Sequence, residues 1–157
     1  MMFSRSLPYR FCLVLLFSLS FILKLSAFYQ EENIEAIEAS VGEMYGLDKL
    51  IALNKLTSNY EAQHSRKALK YGRQAVTLGE NIFVESNSKI DKNENFRLIE
   101  AYYLLGKVLF YRNTFLDAKK NFELAKSLSE NLNNELYTDD IDEYMRNIQA
   151  LIDAGEV

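Results

Sequence analysis

Residues 97–129 read RLIEAYYLLGKVLFYRNTFLDAKKNFELAKSLS, and this stretch decides the fold class. Tyr102, Leu105 and Leu109 recur at helical spacing. After Arg112-Asn113-Thr114 the pattern resumes at Phe115, Ala118, Phe122, Ala125 and Leu128. Apolar residues three and four apart form one face of a helix, so each half reads as an amphipathic helix. So short a turn returns the second helix antiparallel to the first. Gly106 and Ala118 lack bulk where the two backbones must approach.

The pattern extends outward. Leu47–Tyr60 places Leu50, Leu53, Leu56 and Tyr60 on one face, and Arg66–Val84 does the same with Ala68, Tyr71, Ala75, Leu78 and Ile82. A turn is expected at Glu61–His64, with Ser65 as N-cap. Thr114 is read as an N-cap whose hydroxyl accepts from a free backbone N–H, with Asp117 completing a capping box. After a loop at Asn131–Tyr137, Thr138 is read as the N-cap of a last helix, with Asp139, Asp140 and Asp142 in its first turn. Its stripe is Ile141, Tyr144, Met145, Ile148, Leu151 and Ile152. Upstream, Ile34, Ile37, Val41 and Met44 predict a helix over Glu31–Tyr45 that Gly46 breaks.

The 97–129 stretch resembles a tetratricopeptide repeat (TPR). The family's ladder of large aromatic, Leu-Gly, large apolar, Ala, aromatic, Ala falls on Tyr102, Leu105-Gly106, Leu109, Ala118, Phe122 and Ala125. Glu130 stands near the place of the family's terminal Pro. Residues 47–85 resemble a degenerate second repeat through Leu53, Leu56, Tyr60, Ala68 and Ala75. There Thr57 stands where Gly is usual and Gly72 where an aromatic is usual. The spacing Ala68 to Ala118 is 50 residues against about 34 for the family, and the excess falls in a polar stretch over Glu80–Asn95 flanked by long helices. The resemblance implies an all-α solenoid of antiparallel hairpins, a TPR-like superhelix. Repeats would span 47–85 and 94–132, with a capping helix at 138–154 and an N-terminal helix and linker at 28–46.

Met1–Ala27 reads as a targeting segment. Arg5 and Arg10 precede a 13-residue apolar run, Phe11–Leu23, and no acid occurs before Glu31. A membrane span takes about 20 residues. Both a cleaved signal peptide, ending near Ser26-Ala27, and an uncleaved anchor fit. Either predicts an extracytoplasmic protein, with membrane contact confined to residues 1–27.

The 157-residue chain has a formal charge of −4. Arg5, Arg10 and Lys24 lie in the targeting segment, so the body carries 15 basic and 22 acidic residues, or −7. That balance argues against nucleic-acid binding, which needs phosphate neutralisation. One Cys, Cys12, leaves no disulfide framework and no Cys-based zinc site. His64, the single His, falls in a turn. Asp139-Asp140-Ile141-Asp142-Glu143 lacks the glycine of a calcium loop and suits a helix start instead. The outer stripe Arg66, Lys67, Lys70 and Arg73 reads as a solvated face. No phosphate loop or nucleophile motif occurs. Neither a cofactor, nor a metal, nor a catalytic centre is expected.

By resemblance, the inner helices line a concave groove that takes a protein or peptide. Its residues would be Glu100, Tyr103, Lys107, Phe110 and Tyr111 in the strong repeat, with Ile51, Asn54, Ser58 and Glu61 in the weaker one. The same aromatics could instead pack against neighbouring helices. As a groove, they predict that truncating Tyr103 and Phe110 to Ala removes binding and spares helicity. The Lys/Asn carboxylate clamp of chaperone-binding members is not reproduced, since Tyr103 and Lys107 stand in its place. Two roles follow from the resemblance. One is an exported interaction scaffold. The other is the extracytoplasmic input region of a bacterial membrane sensor kinase or nucleotide cyclase.

Overall fold

The computed structural model describes residues 34–63, 66–85 and 92–157. All regular structure among them is helical, as the apolar spacing predicts. The chain divides into two compact units, 1–39 and 40–157. Of the first, the described residues 34–39 are helical. The second contains α1 (Gly46–Glu61), α2 (Arg66–Glu85), α3 (Lys92–Tyr111), α4 (Phe115–Asn131) and α5 (Thr138–Asp153). Residues 1–27, expected to be a targeting segment, lie outside the described residues, as do His64 and the expected N-cap at Ser65.

Each helix direction follows from its contacts. Gly72 and Gly79 of α2 approach Thr57 and Leu50 of α1, so rising numbers on one meet falling numbers on the other. The same two glycines approach Leu105 and Leu98 of α3, again antiparallel. Gly106 of α3 lies under Phe122 of α4, and Phe110 stacks edge-on against Phe115. Lys126 and Lys119 of α4 reach Asp142 and Gln149 of α5. The chain therefore runs up and down with each step, and α1, α3 and α5 all point the same way. Asn54–Glu100 and Glu61–Lys107 bind α1 to α3 at one common offset.

Missing side chains set the crossings. A Cβ at Gly106 would lie 2.7 Å from Phe122 Cε1, and one at Gly79 would lie 2.8 Å from Leu98 Cδ1. At Gly72 it would meet Leu105 Cδ1 at 3.2 Å and Thr57 Cγ2 at 3.3 Å. Leu98 and Leu105 are seven apart, as are Gly72 and Gly79, which is two helical turns on each. Two leucines of α3 thus seat on two glycines of α2. Phe122 has no exposed surface. Burying such a ring contributes roughly 1.5–3 kcal/mol. Ala68, Ala75, Ala101, Ala118 and Ala125 are also fully buried, where larger residues would hold the helices apart.

Several local expectations are corrected. The helix expected over 31–45 ends at residue 40, and a turn over 41–43 follows, where Glu43 N–H donates to Ser40 O. Gly42 weakens helix continuation there. Gly46 opens α1 instead of closing its predecessor, at φ +54°, a region that favours glycine. Within the polar stretch Glu80–Asn95, α2 runs to Glu85 and α3 starts at Lys92, so its ends belong to the long flanking helices, and residues 86–91 lie outside the described residues.

Neither threonine caps through its hydroxyl. Thr114 Oγ1 donates backward to Leu109 O at 3.1 Å, so it seals the end of α3. Thr138 is the first residue of α5, and Tyr137 stands at the cap without a side-chain bond. Between α3 and α4, Asn113 takes φ +59°, and the Asn113 and Thr114 N–H groups return to Phe110 O and Leu109 O. Such a left-handed residue closes the free carbonyls of a helix end. Asn133 does the same after α4, where the buried Ser129 hydroxyl donates to Asn134 O.

Candidate functional site

The expected groove residues separate into three groups. Asn54 is buried between α1 and α3. Its amide donates to Arg97 O at 2.9 Å and to Glu100 Oε2 at 3.0 Å, and Arg97 also reaches that carboxylate at 3.0 Å. Asn54 Oδ1 is buried with no partner among the described residues. Asn54 and Glu100 are therefore a clip between helices. Ser58 is exposed on α1, and Ile51 is half-buried.

Lys107 and Glu61 form a second link, 2.9 Å apart, with their side chains 20% and 11% exposed. The ammonium also lies 5.3 Å from the centre of the Tyr103 ring. The sequence reading gave Lys107 to a ligand, whereas the structure gives it a carboxylate and a ring already in place.

Tyr103 and Phe110 turn toward α5. Tyr103 is only 6% exposed, so most of its ring is taken up by packing. Its ring stacks on Tyr137 at 4.3 Å, and its hydroxyl donates to Asp140 Oδ2 at 2.9 Å. Burial, and then the bond to Asp140, raises its pKa well above the usual tyrosine value. Phe110 packs edge-on against Tyr144 at 5.1 Å. Tyr111 is 43% exposed, and its hydroxyl lies 3.0 Å from that of Tyr144. Burial, followed by that hydroxyl contact, also raises Tyr144.

These side chains enclose a cleft of about 380 Å³ between α3 and α5. Tyr103, Lys107, Phe110 and Tyr111 form one side. Asp140, Glu143, Tyr144 and Asn147 form the other. Four of the expected groove residues are thus brought together, and half of the lining comes from α5. The sequence reading placed Tyr144 in the packing stripe of the last helix and gave Asn147 no role in the groove. The available signal was that Asp140, Glu143 and Asn147 lie three and four apart, sharing one helix face.

A second cleft of about 300 Å³ lies on the opposite side of α3, where Tyr102 donates to Glu80 Oε1 at 2.7 Å. It is lined by Tyr102, Leu105, Leu109 and Leu124, with Arg73 and Lys120 as cations and Glu80 and Asp117 as acids. Gly106, Ala118, Phe122 and Ala125 are fully enclosed by packing.

Among the described residues, no group of three His, Cys, Asp or Glu side chains could hold a metal ion. No described helix is long and apolar enough to cross a membrane. Comparison of the chain with protein-family models, curated proteins and solved structures gave no match.

Proposed function

We propose that this chain is an exported, non-enzymatic scaffold of two TPR-like hairpins, an α-solenoid that binds another protein along α1, α3 and α5. The observation carrying this reading is the common direction of those three helices, with α2 and α4 returning behind them. We read that order as one helical wall: α3 is bonded to α1 through Asn54–Glu100 and Glu61–Lys107 and to α5 through Tyr103–Asp140, while Gly106, Ala118, Phe122 and Ala125 lie at the packed α3–α4 crossing. The cleft at the α5 end adds aromatic side chains, which bind well because they bury much area for little lost freedom. Export rests on the charge and apolar pattern of residues 1–27.

The test uses the full chain with a C-terminal tag. After expression, fractionation and intact mass report its compartment and any removal of the first 27 residues. Cross-linking and mass spectrometry then identify captured proteins for the wild type and for Ser58→Arg and Asn147→Arg, two exposed positions on the wall. The reading expects one enriched protein that both substitutions lose, with unchanged circular dichroism. Recovery from the cytoplasm alone, or equal capture by all three forms, overturns it.

A further inference from the structure

The cleft between α3 and α5 holds more negative charge than its own residues neutralise. Lys107 is the cation among its described lining residues, and Glu61 and the Tyr103 ring already engage it. Asp140 accepts a hydrogen bond from the neutral Tyr103 hydroxyl, which orients the carboxylate without cancelling its charge. Glu143 is exposed, and its carboxylate has no hydrogen bond or ion pair among the described residues. Residues three apart on a helix are neighbours, so two like charges face the same opening, an arrangement that a shared cation relieves.

The rings beside these carboxylates favour the same ligand. Tyr111 and Tyr144 stand at 90° with centres 6.4 Å apart. Their π-faces carry partial negative charge and attract cations, guanidinium most often. Asn147, one turn beyond Glu143, adds an amide oxygen that can accept. Asp140, Glu143 and Asn147 together offer spaced acceptors beside aromatic surface. A planar guanidinium with five donors can engage several of them while resting on a ring, whereas a compact ammonium meets fewer at once.

Resting on the scaffold reading above, we infer that this cleft receives an arginine side chain of the bound protein. Charge complementarity selects the occupant. The carboxylates supply attraction, the tyrosine rings supply contact area, and the Glu61–Lys107 pair closes one end of the cleft.

The test titrates the full chain into a fluorescein-labelled Gly/Ser peptide bearing two arginines, followed by fluorescence anisotropy. Matched peptides carry citrulline, lysine or glutamate in place of arginine. Glu143→Gln disturbs no internal contact and is expected to weaken arginine-peptide binding about threefold. Adding Asp140→Asn is expected to bring the loss to about tenfold. Binding should fall with added salt, and citrulline and glutamate peptides should not bind. Equal binding of the citrulline peptide, or unchanged affinity in Glu143→Gln, overturns the inference. A lysine peptide that binds as tightly as the arginine one overturns the guanidinium assignment.

The pull-down separates this result from the scaffold reading. Capture of a protein that resists both Glu143→Gln and competing arginine peptide removes the arginine inference and leaves the scaffold. Peptide binding of the expected pattern with no protein captured removes the scaffold and leaves a cation site.

Discussion

Phe122 occupies the space that a side chain on Gly106 would need: a Cβ there would lie 2.7 Å from Cε1 and 2.8 Å from Cδ1 of its ring. The ring is fully buried and also faces Tyr103 and Tyr144, so it has little room to retreat. Gly106→Ala should therefore lower stability by about 1–3 kcal/mol, despite alanine's better helix propensity, and Gly106→Leu should lower it further. Urea unfolding followed by circular dichroism checks this. A midpoint at or above wild type would mean that the crossing is looser than described.

Gly72 provides the contrast. Its added Cβ would meet the tips of Leu105 and Thr57 at 3.2 and 3.3 Å, distances that a shift of a few tenths of an ångström relieves. Alanine gains about 1 kcal/mol of helix propensity over glycine. Gly72→Ala should leave the unfolding free energy within about 1 kcal/mol of wild type, and a loss beyond about 2 kcal/mol would show that Leu105 cannot yield.

Tyr103→Ala and Phe110→Ala test the fold more than the groove. The sequence reading expected them to remove binding and spare helicity. In the structure Tyr103 is buried beneath Tyr137, and Phe110 contacts Phe115 and Tyr144. Truncating a well-packed aromatic typically removes about 3–5 kcal/mol. A thermal melt should show early loss of helicity for the double variant. Tyr103→Phe keeps the ring and loses only the bond to Asp140, so its penalty should be about 1 kcal/mol.

Four tyrosines make stability sensitive to alkali. Burial is the main cause in each case, and it pushes Tyr137 up to about 12 and raises Tyr102, Tyr103 and Tyr144 as well. In the unfolded chain tyrosine releases its proton near pH 10. Above that value the unfolded state holds fewer protons than the folded one, so stability falls as pH rises. These tyrosines should leave stability flat from pH 7 to about 9, then reduce it steadily between about 10 and 12. Urea midpoints across that range, read beside phenolate absorbance, provide the check. Phenolate that formed fully near pH 10 without unfolding would contradict the burial.

Helix number and order were legible because each depends on local spacing. Leu50, Leu53, Leu56, Phe122, Ile141 and Ile148 are buried as their periodicity requires. The cap chemistry was less legible. Thr114 and Thr138 have the residue type for a cap, but a hydroxyl's direction depends on backbone angles that the sequence does not display. The cleft was half legible. The resemblance to a repeat family put Tyr103, Lys107, Phe110 and Tyr111 in one expected groove. The arrival of α5 beside α3, which buries Tyr103 and adds Asp140 and Glu143, depends on the path of the 132–137 turn. Asn54 was misread for the same reason, since its partners lie more than 40 residues away.

Thr57 and Gly72 exchange sizes relative to Gly106 and Phe122, and this makes the two hairpins non-interchangeable parts. An aromatic grafted at position 72, to match its counterpart at 122, would be driven into Leu105. Exchanging Gly72 and Phe122 would force a clash at one crossing and leave a hole at the other, so each hairpin keeps its own fixed place for bulk.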